Sequence, residues 1–139
     1  IIMGASIHIH IEVRSGDTWH HYAAPHMFRN GIFFDLVAGI NGKLQPVVPP
    51  RGLPENLSFV TRHDWEQDSK SYRLHHAGWL SAEELAELQE RLKEVCGNSA
   101  RSHLDYDLEE GFLHTYINGN ALTLHQGWND LRFIFWFDN

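Results

Sequence analysis

The chain has 139 residues, of which 42% are hydrophobic, so it can bury a core of the size usual for one domain. Aspartate and glutamate outnumber lysine and arginine by 18 to 11, and the resulting formal charge of −7 disfavours binding to bulk nucleic acid. One cysteine excludes an intramolecular disulfide framework, and the absence of a membrane-length apolar stretch predicts a cytoplasmic protein without a membrane span.

The N-terminal segment carries the clearest strand pattern of the chain. Its apolar residues alternate with polar ones, which predicts a strand with an apolar side toward the core and a polar side toward solvent. The apolar residues are Ile7, Ile9, Ile11 and Val13, and the polar ones are His8, His10, Glu12 and Arg14. Turn-forming residues at 15–17 then predict an antiparallel hairpin with the segment from Thr18 to Tyr22.

The register of this hairpin decides which histidines are neighbours. A three-residue loop would set Glu12 opposite His20 and His10 opposite Tyr22, whereas a shift of one residue would set His10 opposite His21. The sequence leaves both registers open.

Two helices are predicted in the middle of the chain. Apolar residues recur at helical spacing from Asn30 to Ile40, with Asn30 as N-cap and Gly42 beyond the end. A proline-rich segment follows, and Pro54 can occupy the first turn of a helix that runs to about Gln67. Because its apolar positions are sparse, this second helix is expected on the surface.

The third helix has the strongest signals. Ser81 and Glu84 form a capping box, a leucine-rich stripe follows as far as Cys96, and Gly97 supplies the stop. The polar segment Ser69 to Gly78 before it is predicted to be a loop.

The C-terminal residues Leu131 to Phe137 are apolar on both faces, which predicts an interior strand. Residues 105–120 are ambiguous between helix and strand. Strands at both ends with helices between them favour one α+β domain over residues 1–139, with a mainly antiparallel sheet whose terminal strands are neighbours and with two or three covering helices.

The chain contains 11 histidines, and several lie close together in sequence. His8 and His10 would project from one strand face, where Glu12 continues the row and His20 or His21 could join from the second strand. Imidazole binds metals and transfers protons near neutral pH, so His8, His10 and Glu12 are candidate ligands of a divalent metal. The alternative is an ordinary solvent-facing hairpin surface.

Two other residues are candidates for ligand binding. Arg51 precedes the predicted helix start at Pro54, where backbone N–H groups favour anions and the guanidinium would add a bidentate partner. Trp79 could stack on a base from a loop that acts as a lid, or it could pack as a hydrophobic staple of the third helix.

Several segments of the chain resemble a family of small uncharacterised proteins from phages and bacteria. They are Met3-Gly4-Ala5-Ser6-Ile7-His8, Phe34-Asp35-Leu36-Val37-Ala38-Gly39-Ile40, Pro50-Arg51-Gly52-Leu53-Pro54, Trp79-Leu80 and Phe135-Trp136-Phe137-Asp138-Asn139. The family carries no activity to transfer, and this chain has Ser6 where its members often have an acidic residue. A phage setting implies a role against host defence, through sequestration or cleavage of nucleotide signals.

Three functions follow from these patterns as hypotheses. The leading one is a site for a small phosphate-bearing, nucleotide-like ligand, formed by His8 and His10 with His20 or His21, Arg51 and Trp79. The second is a protein-interaction module that inhibits a host protein, and the third is a metal-dependent hydrolase that uses the His-x-His strand. Assembly into a homo-oligomer is left open.

Overall fold

The computed structural model describes residues 4–27, 29–96 and 128–139, apart from the side chain of Cys96. These residues form four strands and three helices. In chain order they are β1 (Ser6–Ser15), β2 (Thr18–Ala23), α1 (Gly31–Ala38), α2 (Phe59–Ser71), β3 (Leu74–Ser81), α3 (Ala82–Cys96) and β4 (Asp130–Asp138).

The strands form one antiparallel sheet in the order β2-β1-β4-β3. The predicted α+β class is confirmed, as are the N-terminal hairpin, the interior position of β4 and its pairing with β1. That pairing runs from Ser6 opposite Asp138 to Arg14 opposite Asp130. By contrast, β2 pairs with β1 only from Ile11 to Ser15, so the first half of β1 has no partner on that side among the described residues.

Both hairpin registers considered from the sequence are wrong. The turn contains two residues, Gly16 and Asp17, because Ser15 already pairs with Thr18. Glu12 therefore lies opposite His21, and an irregularity after it sets Ile11 opposite Ala23. Gly16 has a φ of +59°, a conformation that tight turns of this kind require.

One face of the sheet carries the core. The isoleucines of β1 and the phenylalanines of β4 are buried there under α1 and α3, which pack on each other. The Ser81–Glu84 capping box is confirmed, because the Ser81 N–H donates to Glu84 Oε1 (2.8 Å) and the Glu84 N–H to Ser81 Oγ (3.2 Å). Gly97 and the ambiguous segment 105–120 lie outside the described residues.

Helix α1 begins at its predicted cap, where the Asn30 side chain accepts the Phe33 N–H, and ends at Ala38 with Gly39 as its C-cap, two residues before the predicted end at Ile40. The buried Asp35 carboxylate organises the loop that follows. It accepts the backbone N–H groups of Asn41 (2.6 Å), Lys43 (3.2 Å) and Leu44 (3.2 Å). The loop is thereby tied to the helix without regular secondary structure.

Two predictions for residues 54–78 are wrong. Helix α2 begins after Ser58 instead of at Pro54 and extends to Ser71, because the Ser58 side chain caps it by accepting the Thr61 N–H. The predicted loop from Ser69 to Gly78 instead holds the end of α2 and the first part of β3, which is bulged between His75 and Gly78. Gly78 is required there, since a Cβ atom would lie 2.7 Å from Cζ of Phe135.

The second face of the sheet is covered by α2, although its histidines were expected to face solvent. We call this surface the histidine face: it comprises His8, His10, Glu12, His21, Arg132 and Trp136. His10 is 3% exposed and Glu12 fully buried. The sheet thus lies between α1 and α3 on one side and α2 on the other. Within the described ranges, no helix is long and apolar enough to cross a membrane.

Candidate ligand-binding site

Helix α2 is attached to the histidine face by a stripe of polar and aromatic side chains. Trp65 contacts Trp136 edge to face, with ring centroids 5.2 Å apart, and the Trp136 indole N–H donates to Asp68 Oδ2 at 3.0 Å. Thr61 is fully buried one turn earlier. The spacing of Thr61, Trp65 and Asp68 places them on one side of the helix, together with Asp64. Two carboxylates of α2 therefore face the strand that carries His8 and His10.

Glu12 and Arg132 form a buried ion pair at the N-terminal end of α2. Arg132 donates to Glu12 Oε1 from Nε (2.9 Å) and Nη2 (2.7 Å), and the Ser58 N–H donates to Oε2 (2.9 Å). The guanidinium lies 4.0 Å from the ring centroid of Trp19. Burial alone would raise the pKa of Glu12, but the hydrogen bonds from Ser58, Thr61 and Arg132 outweigh it and lower that pKa. Glu12 therefore has a structural role: its carboxylate joins β4 to the start of α2.

His8 lies between two carboxylates. Its Nε2 contacts Oδ2 of Asp138 at the end of β4, and its Nδ1 is 3.4 Å from Oδ2 of Asp68. The ring stacks on Trp136 at a centroid distance of 6.1 Å. A carboxylate only accepts hydrogen bonds, so Nε2 of His8 is the donor in its hydrogen bond with Asp138.

His10 connects α2 to the hairpin. Its Nε2 is 3.4 Å from Asp64 Oδ2, its Nδ1 is 2.9 Å from His21 Nε2, and its ring stacks on Trp136 at 5.1 Å. Burial lowers the pKa of His10 despite the nearby Asp64 carboxylate, and burial likewise lowers the pKa of His21. Both rings are therefore neutral near pH 7.

A cavity of about 320 Å³ opens beside the first half of β1, on the side where β2 does not pair with it. It lies between β1, α2 and the segment that follows β2, and we call it the β1–α2 pocket. Its wall contains three histidines and two aspartates, namely His8, His10, His26, Asp64 and Asp68. Ile7, Ile9, Ala24 and Pro25 complete the wall. The pocket thus combines the His–Asp pairs with space for a small molecule.

The other residues predicted for this site lie elsewhere. His20 is opposite Val13 and so projects from the other face of the sheet, 5.5 Å from the Trp128 ring. Arg51 and Trp79 meet at β3, the edge strand farthest from β2. The guanidinium stacks 3.7 Å from the Trp79 ring centroid and donates to the Trp79 carbonyl oxygen and to Glu84 Oε1. Arg51 therefore stabilises the start of α3 by binding Glu84, and Trp79 lies in a strand instead of a lid.

The geometry also separates the three candidate metal ligands. Glu12 is held by Arg132 and Ser58, while His8 contacts Asp68 and Asp138 and His10 contacts Asp64. In the described part of the chain, no group of three or more His, Cys, Asp or Glu side chains is arranged to hold a metal ion.

Sequence reasoning missed Asp64, Asp68 and His26 as pocket residues. The signal for the first two was present. Asp64 and Asp68 are four residues apart, with Trp65 between them, and such spacing gives a helix one polar side. A polar side on a helix ordinarily faces solvent, so only the polar character of the opposing strand could have indicated the contact.

Comparison with known proteins gives no family for this chain. No protein-family model matches it, and neither a curated protein nor a solved structure is significantly similar. The resemblance to small phage and bacterial proteins therefore stays a prediction.

Proposed function

We propose that the protein binds a small polar ligand in the β1–α2 pocket and that His8 and His10 contact it. The observation that carries this proposal is the pairing of each histidine with an aspartate of α2 at the wall of one cavity. A volume of about 320 Å³ is within the range of small-ligand sites, in which a few polar groups converge on an otherwise preformed cavity.

The charge of the wall indicates which part of a ligand it accepts. Asp64 and Asp68 contribute carboxylates, burial keeps His10 neutral, and none of the described residues that line the pocket is a lysine or arginine. A phosphate group at this wall would be repelled by the two carboxylates. For the nucleotide-like ligand predicted from the sequence, we propose that the base or sugar enters the pocket and that the phosphate stays in solvent.

A thermal-shift panel at pH 7.5 tests this proposal. The panel contains nucleosides, their monophosphates, cyclic nucleotides, simple sugars and inorganic phosphate. A ligand at 100 times its dissociation constant adds about 2.7 kcal/mol to the free energy of unfolding. We expect nucleosides and nucleotides to raise the Tm alike and inorganic phosphate to have no effect. The proposal would be contradicted if no member of the panel raised the Tm, or if inorganic phosphate raised it as much as the nucleotides do.

Matched variants locate the effect. His10→Ala should abolish the ligand-dependent shift, whereas His20→Ala should leave it unchanged, because His20 lies on the opposite face of the hairpin. If both variants lose the shift equally, the ligand does not bind in the β1–α2 pocket.

The biological part of the proposal concerns host defence. A phage protein that binds nucleotides in this way would sequester a nucleotide signal, and the acid–base groups of the pocket are also compatible with cleavage. Chromatography of cyclic nucleotides after incubation with the protein distinguishes sequestration from cleavage. We expect unchanged nucleotides, because no lysine or arginine of the described wall would stabilise the transition state of phosphodiester cleavage.

A further inference from the structure

The pocket histidine His10 has one neighbour on each ring nitrogen, and these neighbours define its hydrogen-bonding roles. Asp64 lies at Nε2 and His21 at Nδ1. A carboxylate cannot donate, so favourable contact with Asp64 requires the proton of His10 to be on Nε2. A neutral ring carries one such proton, and Nδ1 is then an acceptor.

The role of His21 follows from that assignment. Because Nδ1 of His10 accepts, Nε2 of His21 must carry the proton of their 2.9 Å hydrogen bond. The opposite direction would leave the unprotonated Nε2 of His10 facing a carboxylate. Burial lowers the pKa values of both rings, which supports the neutral state that this argument uses.

We propose that His21 is a positioning residue that holds His10 in the Nε2–H tautomer, so that the pocket presents an N–H donor beside the Asp64 carboxylate acceptor. The two atoms are 3.4 Å apart, longer than an ordinary N–H···O hydrogen bond, so their contact is easily exchanged for two contacts with a ligand. This inference rests on the proposed ligand site and deepens it.

A donor and an acceptor side by side select a ligand edge with the complementary order. The ligand then offers an acceptor to His10 and an N–H to Asp64, as adenine does with N1 and its 6-amino group, and as cytosine does with N3 and its 4-amino group. The class of ligand is therefore an amino-substituted nucleobase or another amidine-like edge. A ligand that lacks the amino group loses the hydrogen bond to the charged Asp64 carboxylate.

The charged and titratable groups that act on His10 come from three elements. Asp64 and Asp68 face His10 from α2, Glu12 lies on β1 with it, and His21 faces it from β2. The charge of Glu12 is compensated by Arg132. The carboxylates favour protonation of His10, while burial and His21 oppose it.

Nitrogen-15 NMR of histidine-labelled protein without ligand at pH 7.5 tests the tautomer directly. We expect Nε2–H for both His10 and His21. In His21→Ala, His10 should become a mixture of tautomers, and His21→Gln, whose amide can donate to Nδ1, should restore part of the preference. His20→Ala serves as the control and should leave the His10 signals unchanged. An Nδ1–H tautomer of His10 in the unmodified protein would overturn the assignment, and an unchanged tautomer in His21→Ala would overturn the positioning role of His21.

Binding of adenosine and of purine riboside, which lacks only the 6-amino group, tests the recognition. We expect at least tenfold weaker binding of purine riboside, and equal affinities would overturn the proposed edge. Because the NMR measurement needs no ligand, the two failures are distinguishable. Expected tautomers without binding of either nucleoside would reject the nucleobase site and retain the role of His21.

Discussion

Neutralising Glu12 without changing its size tests whether the buried ion pair holds α2 on the sheet. The substitution is Glu12→Gln. Glu12 is fully buried, and its two oxygens accept hydrogen bonds from Arg132 Nε and Nη2 and from the Ser58 N–H. A glutamine whose oxygen stays on the guanidinium turns its NH₂ group toward the Ser58 N–H, where two donors then face each other.

The cost follows from these contacts. A buried donor left without an acceptor costs about 1–3 kcal/mol, and removal of one member of a buried ion pair typically costs about 3–5 kcal/mol. The carbonyl oxygens of Glu55 and Asn56 and the ring of Trp19 still compensate part of the charge of Arg132. We therefore expect a loss of about 3 kcal/mol, at the lower end of that range.

Urea unfolding at pH 7.5, followed by tryptophan fluorescence, measures this loss. With a slope of about 2 kcal/mol per molar, the midpoint should fall by about 1.5 M. The double variant Glu12→Gln/Arg132→Met should lose less than the sum of the single variants, by about 2 kcal/mol.

A surface ion pair provides the matched control. The Glu90 side chain is 70% exposed and lies 3.8 Å from the Lys93 ammonium, so Glu90→Gln should cost under about 0.5 kcal/mol. If Glu12→Gln also costs less than about 1 kcal/mol, the buried pair does not fix α2 and the reasoning fails.

Three further predictions concern stability. Urea titrations from pH 7.5 to 5.5 should show a falling free energy of unfolding: the folded-state pKa values of His10 and His21 lie below the unfolded value of 6.5, so the unfolded chain binds protons first. His10→Gln should flatten this dependence, and a flat profile in the unmodified protein would refute it. Asp35→Asn should cost about 2–3 kcal/mol in thermal unfolding, because an amide cannot accept all three loop N–H groups, and an unchanged Tm would contradict this. Gly78→Ala should cost about 1–3 kcal/mol through the contact with Phe135, and Phe135→Leu in the same chain should recover part of this loss. Gly42→Ala is the control: its Cβ would meet no other atom, so it measures only the cost of a positive φ at alanine.

Where a local pattern is sufficient, prediction from the sequence agrees with the structure. Asn30 caps α1, Ser81 and Glu84 cap α3, and the alternation in β1 and the apolar faces of β4 identify two adjacent strands. Each of these depends on residues within a few positions of one another, or on hydrophobic periodicity. Such signals can be read from the sequence without knowledge of the tertiary contacts.

Prediction of the site was less successful for a physical reason. His8, His10 and His21 were identified as candidates, but Asp64 and Asp68 were not, and Arg51 was placed beside residues from which strand β4 separates it. A polar strand face and a polar helix face each indicate solvent when read alone. Only their mutual contact makes burial favourable, since each donor then meets an acceptor.

The sequence by itself determined the strand that carries His8 and His10, its two faces and its place in an α+β fold, because side-chain alternation and capping are local properties. The tertiary structure alone decided that the polar face is covered by α2, that Glu12 is neutralised by Arg132, and that His10 lies between Asp64 and His21 beside a pocket. These contacts join residues up to 120 positions apart. Their energies exist only once the chain has folded.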